Sequence, residues 1–431
     1  MKKIHIKKGM EKLVLVLIRN RTEEDLHDID VIVMDIIKNV KNLGDSVLIE
    51  YSEKFDGISK ISLSRGLRVS EDEMNEAQNE IEPVLLASLQ EAAENISKFH
   101  KKQIQESWFI EEKGKSRLGQ VVMPIESVGI YVPGGKASYP STVLMNAIPA
   151  KIAGVKRIVM VTPPMKDGNI NPYVLAAAKI AGVDEVYKVG GAQAIAALAY
   201  GTESIIPVDK ITGPGNIYVA RAKRQVFGIV DIDMIAGPSE VLIIADENSN
   251  PNFIAADLLA QAEHDEMASS ILVTTSDLLA DKVKNCVNSQ LKELAKPEIA
   301  KKSIENNAYS FICEDIESCF EISNKLAPEH LELLLENAKD YLKMVKNAGA
   351  VFIGPYSPEP LGDYFAGPNH TLPTGGTAKF SSPLGVYDFI KRTSVIEYTK
   401  GHLFDAKDKI IGIAIKEGLE AHAKSIEHRF K

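Results

Sequence analysis

Arg157-Ile158-Val159-Met160-Val161-Thr162 is an apolar, β-branched run of strand length. After a polar break comes a helix-length amphipathic segment, residues 173–181, and then a second such run, Val186-Tyr187-Lys188-Val189. Strand, helix and strand in that order make a βαβ unit, whose strands lie parallel in one sheet. The alternation continues outward. Residues 193–200 read as helix, Lys210-Ile211-Thr212 as strand and residues 217–226 as helix. Strand 241–245 leads to helix 253–263, strand 270–275 to helix 278–291, and Ser310-Phe311-Ile312 to helix 316–326. Ala350-Val351-Phe352-Ile353 closes the series after a further helix. These units suffice for two parallel sheets with a break near residues 236–250. No Pro/Gly/Ser-rich linker intervenes, so the halves should pack tightly.

Toward the N-terminus the pattern changes. Residues up to about 120 read as mostly helical and accessory. Leu26, Ile29, Val33, Ile36, Ile37 and Val40 recur at helical spacing in segment 23–42. Ser70-Glu71-Asp72-Glu73 has the form of a capping box and opens a long polar helix toward His100. From Pro355 to about Pro383 the chain is rich in Gly, Pro and polar residues. A loop that long in a compact domain is usually functional. A final helix is expected over residues 405–429. The reading is an α/β fold: two packed Rossmann-like parallel-sheet domains, an N-terminal helical region and a C-terminal helical tail. The expected divisions are 1–120, 121–236, 237–380 and 381–431.

At 431 residues, 45% hydrophobic and 25% charged, the composition is that of a globular protein with a large core. A formal charge of −9 argues against a nucleic-acid binder. Cys286, Cys313 and Cys319 have no CxxC spacing, so a disulfide framework or a thiolate zinc site is not expected. Near the N-terminus the apolar run Leu13–Ile18 is six residues long, shorter than a signal-peptide core or a membrane span. A cytoplasmic protein is expected, with no membrane partner.

Polar clusters sit around this frame. Glycine corners stand at Gly134-Gly135, Gly190-Gly191 and Gly213-Pro214-Gly215-Asn216, at the carboxyl ends of expected strands or just before helices. Ligands bind at that edge of open α/β sheets, and helix N-terminal amides there accept phosphates; equally, glycines make tight turns. None matches G-x-G-x-x-G. Gln261 and His264 are three apart on one helical face. They could ligate a metal, or His264 could serve the helix dipole. Asp363 and His370 lie in the long loop, and Glu417 and His422 on the final helix. Gln, His, Asp and His without thiolate suit Zn²⁺ or a similar ion.

The stretch Lys325-Leu326-Ala327-Pro328-Glu329-His330-Leu331-Glu332 sets a carboxylate beside an imidazole directly after a proline. Pro328 fixes its own φ and restricts Ala327, so the pair is held at a turn or an element start. Two bases of different pKa suit more than one proton transfer. Taken alone, such a pair also reads as solvated surface.

The run Ile232-Asp233-Met234-Ile235-Ala236-Gly237-Pro238-Ser239-Glu240-Val241-Leu242, continuing to Ala256-Asp257-Leu258-Leu259-Ala260-Gln261-Ala262-Glu263-His264, resembles the signature of the histidinol dehydrogenase family. Tyr131-Val132-Pro133-Gly134-Gly135, Gly190-Gly191-Ala192-Gln193-Ala194, Gly213-Pro214-Gly215-Asn216, Ala327–Glu332, Gly362-Asp363-Tyr364, Asn369–Thr374 and Glu417-Gly418-Leu419 with His422 are similar to its other motifs. The resemblance covers nearly the whole chain after about residue 115. It implies a four-electron oxidation of L-histidinol to L-histidine through the aldehyde, with two NAD molecules reduced in turn. It implies one zinc per subunit, held by Gln261, His264, Asp363 and His422. Substrate contacts would be Ser239, His370 and Glu417 with the zinc ligands and His330 nearby; NAD contacts would be Tyr131, Gln193 and Asn216. Glu329 and His330 would be the acid/base pair. It further implies a homodimer in which the C-terminal segment completes the partner's site.

Side-chain chemistry fits these roles. His330 suits the base for the alcohol proton, and Glu329 the base that activates water for the aldehyde. A thiohemiacetal route would need a cysteine, and all three cysteines lie outside the motifs. The alternatives are a dehydrogenase of the same scaffold acting on another small alcohol, or a zinc hydrolase. Glu417 and His422, five residues apart, sit roughly 140° apart on an ideal helix, so serving one site requires a distortion, for which Gly418 offers a weak point.

Overall fold

The computed structural model describes residues 1–19, 26–58, 66–112, 114, 116–134 and 138–431. In chain order the strands are β1 Lys2–Ile6, β2 Trp108–Glu112, β3 Ser116–Pro124, β4 Ser127–Tyr131, β5 Arg157–Thr162, β6 Glu185–Lys188 and β7 Lys210–Thr212. They continue with β8 Asp231–Ile232, β9 Glu240–Ala245, β10 Ser269–Thr274, β11 Ala308–Cys313, β12 His330–Leu334, β13 Ala350–Ile353 and β14 Ile390–Tyr398. The chain forms two compact units, Met1–Gln103 with Ile125–Phe389, and Ile104–Pro124 with Ile390–Lys431.

The first unit holds two parallel sheets. One has the order β6-β5-β4-β7-β8. The chain winds outward from β4 through β5 and β6, then returns to β7 on the other side of β4. That reversal opens a crevice at the carboxyl ends of β4 and β7. The other sheet, β1-β11-β10-β9-β12-β13, repeats the same winding about β9 and adds β1 at its edge. Its reversal falls between β9 and β12. The chain passes from one sheet to the other in the segment 233–239. Helices cover both faces of both sheets, which is why Val241, Leu242, Ile243 and Ile244 can all be buried in one strand. The α/β architecture with paired Rossmann-like sheets is that read from the sequence.

Local differences have identifiable causes. The N-terminal segment is not accessory. It begins with β1, paired parallel to β11, and helix Leu26–Leu43 sinks Val33, Ile36 and Val40 into the core over the first sheet. Residues 23–25 of the helix expected there lie outside the described residues. Ser70 does form the capping box, but its helix stops at Ala77 and a new one, Pro83–His100, starts at a proline that has no N–H to donate. The last helix is two helices, Lys400–Lys416 and Glu420–Glu427. Gly418, at φ +78°, ends the first, and the Leu419 N–H donates back to Ala414 O at 2.8 Å.

The second unit pairs β14, β3 and β2 in an antiparallel sheet and carries those two helices. Among the described residues, no helix is long and apolar enough to cross a membrane. The three cysteines are free.

Candidate active site

His330 opens β12, and β12 lies between β9 and β13, with His330 opposite Val241 and Ala350. The preceding helix, Ile316–Leu326, ends on Ala327, whose N–H donates to Ser323 O at 2.7 Å. Ala327 adopts φ +53° and ψ +64°. The residue before a proline normally stays extended, so this turn departs from the sequence reading. A left-handed alanine costs about 1–2 kcal/mol. The next turn fixes the strained segment: the Gly349 N–H donates to Pro328 O at 2.9 Å. A Cβ on Gly349 would lie 2.5 Å from Glu329 O.

Both bases are buried, Glu329 being 7% and His330 4% exposed, so the solvated-surface reading fails. His330 Nδ1 lies 3.2 Å from Glu240 O and 3.2 Å from Gln261 Oε1. Two acceptors there place the proton on Nδ1. Nε2 is left as a lone pair, buried and without a hydrogen-bond partner. Burial, together with His264 and His370 nearby, pulls the ring's pKa down to about 3, which keeps it neutral. Glu329 Oε2 accepts the Glu240 N–H at 3.0 Å and lies 3.7 Å from His330 Nδ1. Burial pushes Glu329 well above the usual carboxylate range; Glu240 and Asp363 add to the rise, and the Glu240 amide and Ser239 side chain oppose it.

Donor groups converge above this pair. Helix Pro251–Ala262 delivers Gln261, with His264 two residues beyond its end. Helix Glu359–Tyr364, in the middle of the long loop, delivers Glu359 and Asp363. Ligand atoms of His264, Glu359 and Asp363 lie within 4.8 Å of one another. His330 Nε2 is 3.9 Å from Asp363 Oδ1, and His264 Nε2 is 3.9 Å from Glu359 Oε1. Burial raises Asp363 to about 7 and Glu359 well above the carboxylate range, and lowers His264. Buried carboxyls with a neutral imidazole are the pattern a bound cation would reverse. Gln261 Nε2 and Glu359 Oε2 are buried and unpartnered.

The remaining expected residues are placed as follows. Ser239 precedes β9, beside Glu329. His370 has partners at both ring nitrogens, Asp363 O at 3.0 Å from Nδ1 and Thr142 Oγ1 at 3.3 Å from Nε2. Tyr131 ends β4 at the first sheet's crevice. Its hydroxyl accepts the Gly191 N–H at 3.1 Å, so that helix amide is taken by the phenol. Gln193 is buried in helix Gly191–Tyr200. Asn216 is exposed and caps helix Ile217–Val226 through Oδ1. Of the glycine corners, Gly135 lies outside the described residues. Glu417 and His422 belong to the second unit, exposed on either side of the Gly418 break. Gln261, His264, Glu329, His330, Asp363 and Ser239 are thus gathered within one unit. They gather at the amino edge of the second sheet, whereas the glycine corners line the carboxyl edge of the first. Glu240 and Glu359 escaped the sequence reading.

Such an arrangement offers one neutral base, one perturbed carboxyl and a cation-binding donor set, without a thiol. A family model described as histidinol dehydrogenase matches residues 19–430. A histidinol dehydrogenase of Listeria monocytogenes serovar 1/2a is 57% identical over 399 residues, 93% of this chain and 92% of that one. One from Bacillus anthracis is 55% identical over 399 residues, 92% of each chain. A crystal structure of histidinol dehydrogenase from Elizabethkingia anophelis matches with a TM-score of 0.93 and 40% identity, covering 100% of this chain and 98% of that one.

Proposed function

The chain belongs to the histidinol dehydrogenase family and oxidises L-histidinol in histidine biosynthesis, and from that premise we propose that it carries the alcohol through L-histidinaldehyde to L-histidine at one site. The acceptor would be NAD, reduced twice, and the site would take one zinc ion per subunit. What supports this reading is the meeting of a buried, neutral His330 and a buried, perturbed Glu329 with the donors Gln261, His264 and Asp363, of which His264 reaches the surface.

The donor chemistry fits zinc: imidazole, carboxylate and amide oxygen without thiolate, with the carboxylate oxygen Glu359 Oε2 buried and unpartnered. Gln261, His264 and Asp363 would hold it together with His422 of the partner subunit. The crevice at β4 and β7 fits a dinucleotide, with Thr212 Oγ1 buried and unpartnered beside it. Tyr131, Gln193 and Asn216 would hold the cofactor there. When bound, NAD supplies the hydride acceptor and zinc a positive charge that anchors the substrate.

The rest is done by side chains. In the first oxidation His330 Nε2 takes the hydroxyl proton as the carbon loses hydride. The Nδ1–H, held by Glu240 O and Gln261 Oε1, stabilises the imidazolium. In the second, Glu329 takes a proton from water as its oxygen adds to the aldehyde. The resulting hydrate loses a second hydride and a proton to become the acid. Ser239, His370 and the partner subunit's Glu417 position the substrate. No thiol takes part: Cys313 and Cys319 are buried in the sheet core. A homodimer with shared sites, in the cytoplasm, completes the reading.

The two bases can be separated experimentally. Glu329→Gln should slow oxidation of supplied histidinaldehyde more than it slows histidinol oxidation, because only the aldehyde step adds water. His330→Ala should slow the alcohol step while leaving zinc content intact. Equal losses in both half-reactions for both variants would overturn the division of labour.

A further inference from the structure

His370 enters the scheme above only as a residue that positions the substrate, yet both of its ring nitrogens are already engaged. Nδ1 lies 3.0 Å from the Asp363 carbonyl oxygen, which can only accept, so the Nδ1–H donates there. In the neutral ring that leaves Nε2 a lone pair, and the Thr142 hydroxyl, 3.3 Å away, donates to it. Asp363 stands next to the last residue of helix Glu359–Tyr364. A carbonyl so near a helix end has no donor within the helix, and His370 supplies one.

Thr142 is held in turn. It lies buried in the first turn of helix Pro140–Ala153, which follows β4. The segment 369–371 is laid along that helix. Asn369 Nδ2 donates to Met145 O at 2.6 Å, and Asn146 Nδ2 donates to Thr142 O at 2.9 Å and to Thr371 Oγ1 at 3.3 Å. The Thr371 N–H donates to Asn369 Oδ1 at 2.8 Å. Asn146, Asn369 and Thr371 are all buried. Hydroxyl and imidazole thus face each other from two segments that are themselves tied together.

From this chain of contacts we infer that Thr142 is a positioning residue for the metal site: its hydroxyl fixes the tautomer and tilt of His370, and the ring in turn holds the Asp363 backbone, so that the Asp363 carboxylate meets the ion. The inference rests on reading Asp363 as a metal ligand. It gives His370 its part in placing the substrate at one remove, with no ring nitrogen left over for direct contact. Thr142 itself lies outside every motif that carries the family resemblance. Outer partners of this kind orient the ligand, and losing one costs roughly 10- to 100-fold in metal affinity or activity. Thr142 stands one contact further out than His370, so its loss belongs at the lower end.

The test is zinc binding to the full-length protein, read by competition with a chelating dye. Thr142→Val keeps the shape and removes the donor, and its zinc dissociation constant should rise about 10-fold. Thr142→Ser keeps the hydroxyl and should recover most of the loss. His370→Ala should weaken zinc at least as much as Thr142→Val. The double variant should be no weaker than His370→Ala alone, since the hydroxyl acts only through the ring. Wild-type zinc affinity in Thr142→Val would overturn the inference. So would additive losses in the double variant, or a loss in Thr142→Ser as large as in the valine variant, which would mark packing instead of the hydrogen bond. Asp363→Ala, run in parallel, separates the failures: wild-type zinc affinity there overturns the metal-ligand reading itself, whereas zinc lost there beside a wild-type Thr142→Val overturns only the role of Thr142.

Discussion

Glu329 can act as a base only when ionised, and its surroundings decide when that is. Burial raises its pKa, and the negative charges of Glu240 and Asp363 raise it further. The sign follows directly: the base form is present above the raised pKa and lost as pH falls through it. The acid limb of aldehyde oxidation should therefore lie above the usual glutamate value of about 4.3. A pH–rate profile of the aldehyde half-reaction checks this, and an acid limb at or below that value would contradict it. At this scale the sequence shows which residue types carry chemistry but not how they face. Glu329-His330 stands out because an acid and an imidazole adjoin. Glu240 and Glu359 read as ordinary acids, and only the pairing of β9 with β12 and the fold of the long loop bring them to the bases. Nor does sequence reveal that Ala327 is left-handed, since the proline after it argues for the opposite.

Strand β12 carries the pair, and its sequence does not read as a buried strand. His330-Leu331-Glu332-Leu333-Leu334 alternates polar with apolar residues as a half-exposed strand would, yet all five are buried. Its polar face is only half satisfied inside, since His330 Nε2 and Glu332 Oε2 are buried without a hydrogen-bond partner. His330 meets Gln261, and Glu332 accepts the Glu359 N–H at 3.1 Å. β4 is hidden in the sequence for a different reason. Gly129 interrupts it, and a Cβ there would come within 2.8 Å of Leu198 Cδ1. Longer apolar strands such as β5, β9 and β10 are legible because burial on both faces leaves an unbroken hydrophobic run. The crevice between β4 and β7 makes a prediction of its own. Gly213 sits at φ +109°, and a Cβ on it would lie 2.1 Å from Tyr131 O. A left-handed penalty and a backbone clash should make Gly213→Ala less stable by about 2–5 kcal/mol. Chemical denaturation measures this, and a wild-type midpoint would show that the two strand ends are free to separate.

Across the whole molecule, the alternation of strands and helices shows the fold class, because winding follows from βαβ handedness. The crossing between the sheets, at 233–239, begins before the expected 236–250, within which strand β9 already lies. Such local reasoning does not show that the second sheet repeats the strand order of the first, or that the amino edge of one and the carboxyl edge of the other carry the working residues. In the proposal above, His422 of the partner subunit would complete the metal set, so the site would extend beyond one chain. Refolding a mixture of His330→Ala and His422→Ala subunits should restore about a quarter of wild-type activity if pairing is random and sites are independent. An inactive mixture, with heterodimers demonstrated and refolded wild type active, would place the tail in its own subunit's site. The central claim is that one site performs both oxidations without releasing the aldehyde, and stoichiometry in the presence of a carbonyl trap tests it most directly. Purified enzyme given L-histidinol, NAD and semicarbazide should form two NADH per histidine, with little trapped aldehyde; one NADH per histidinol consumed, or semicarbazide capturing most of the flux, would contradict it.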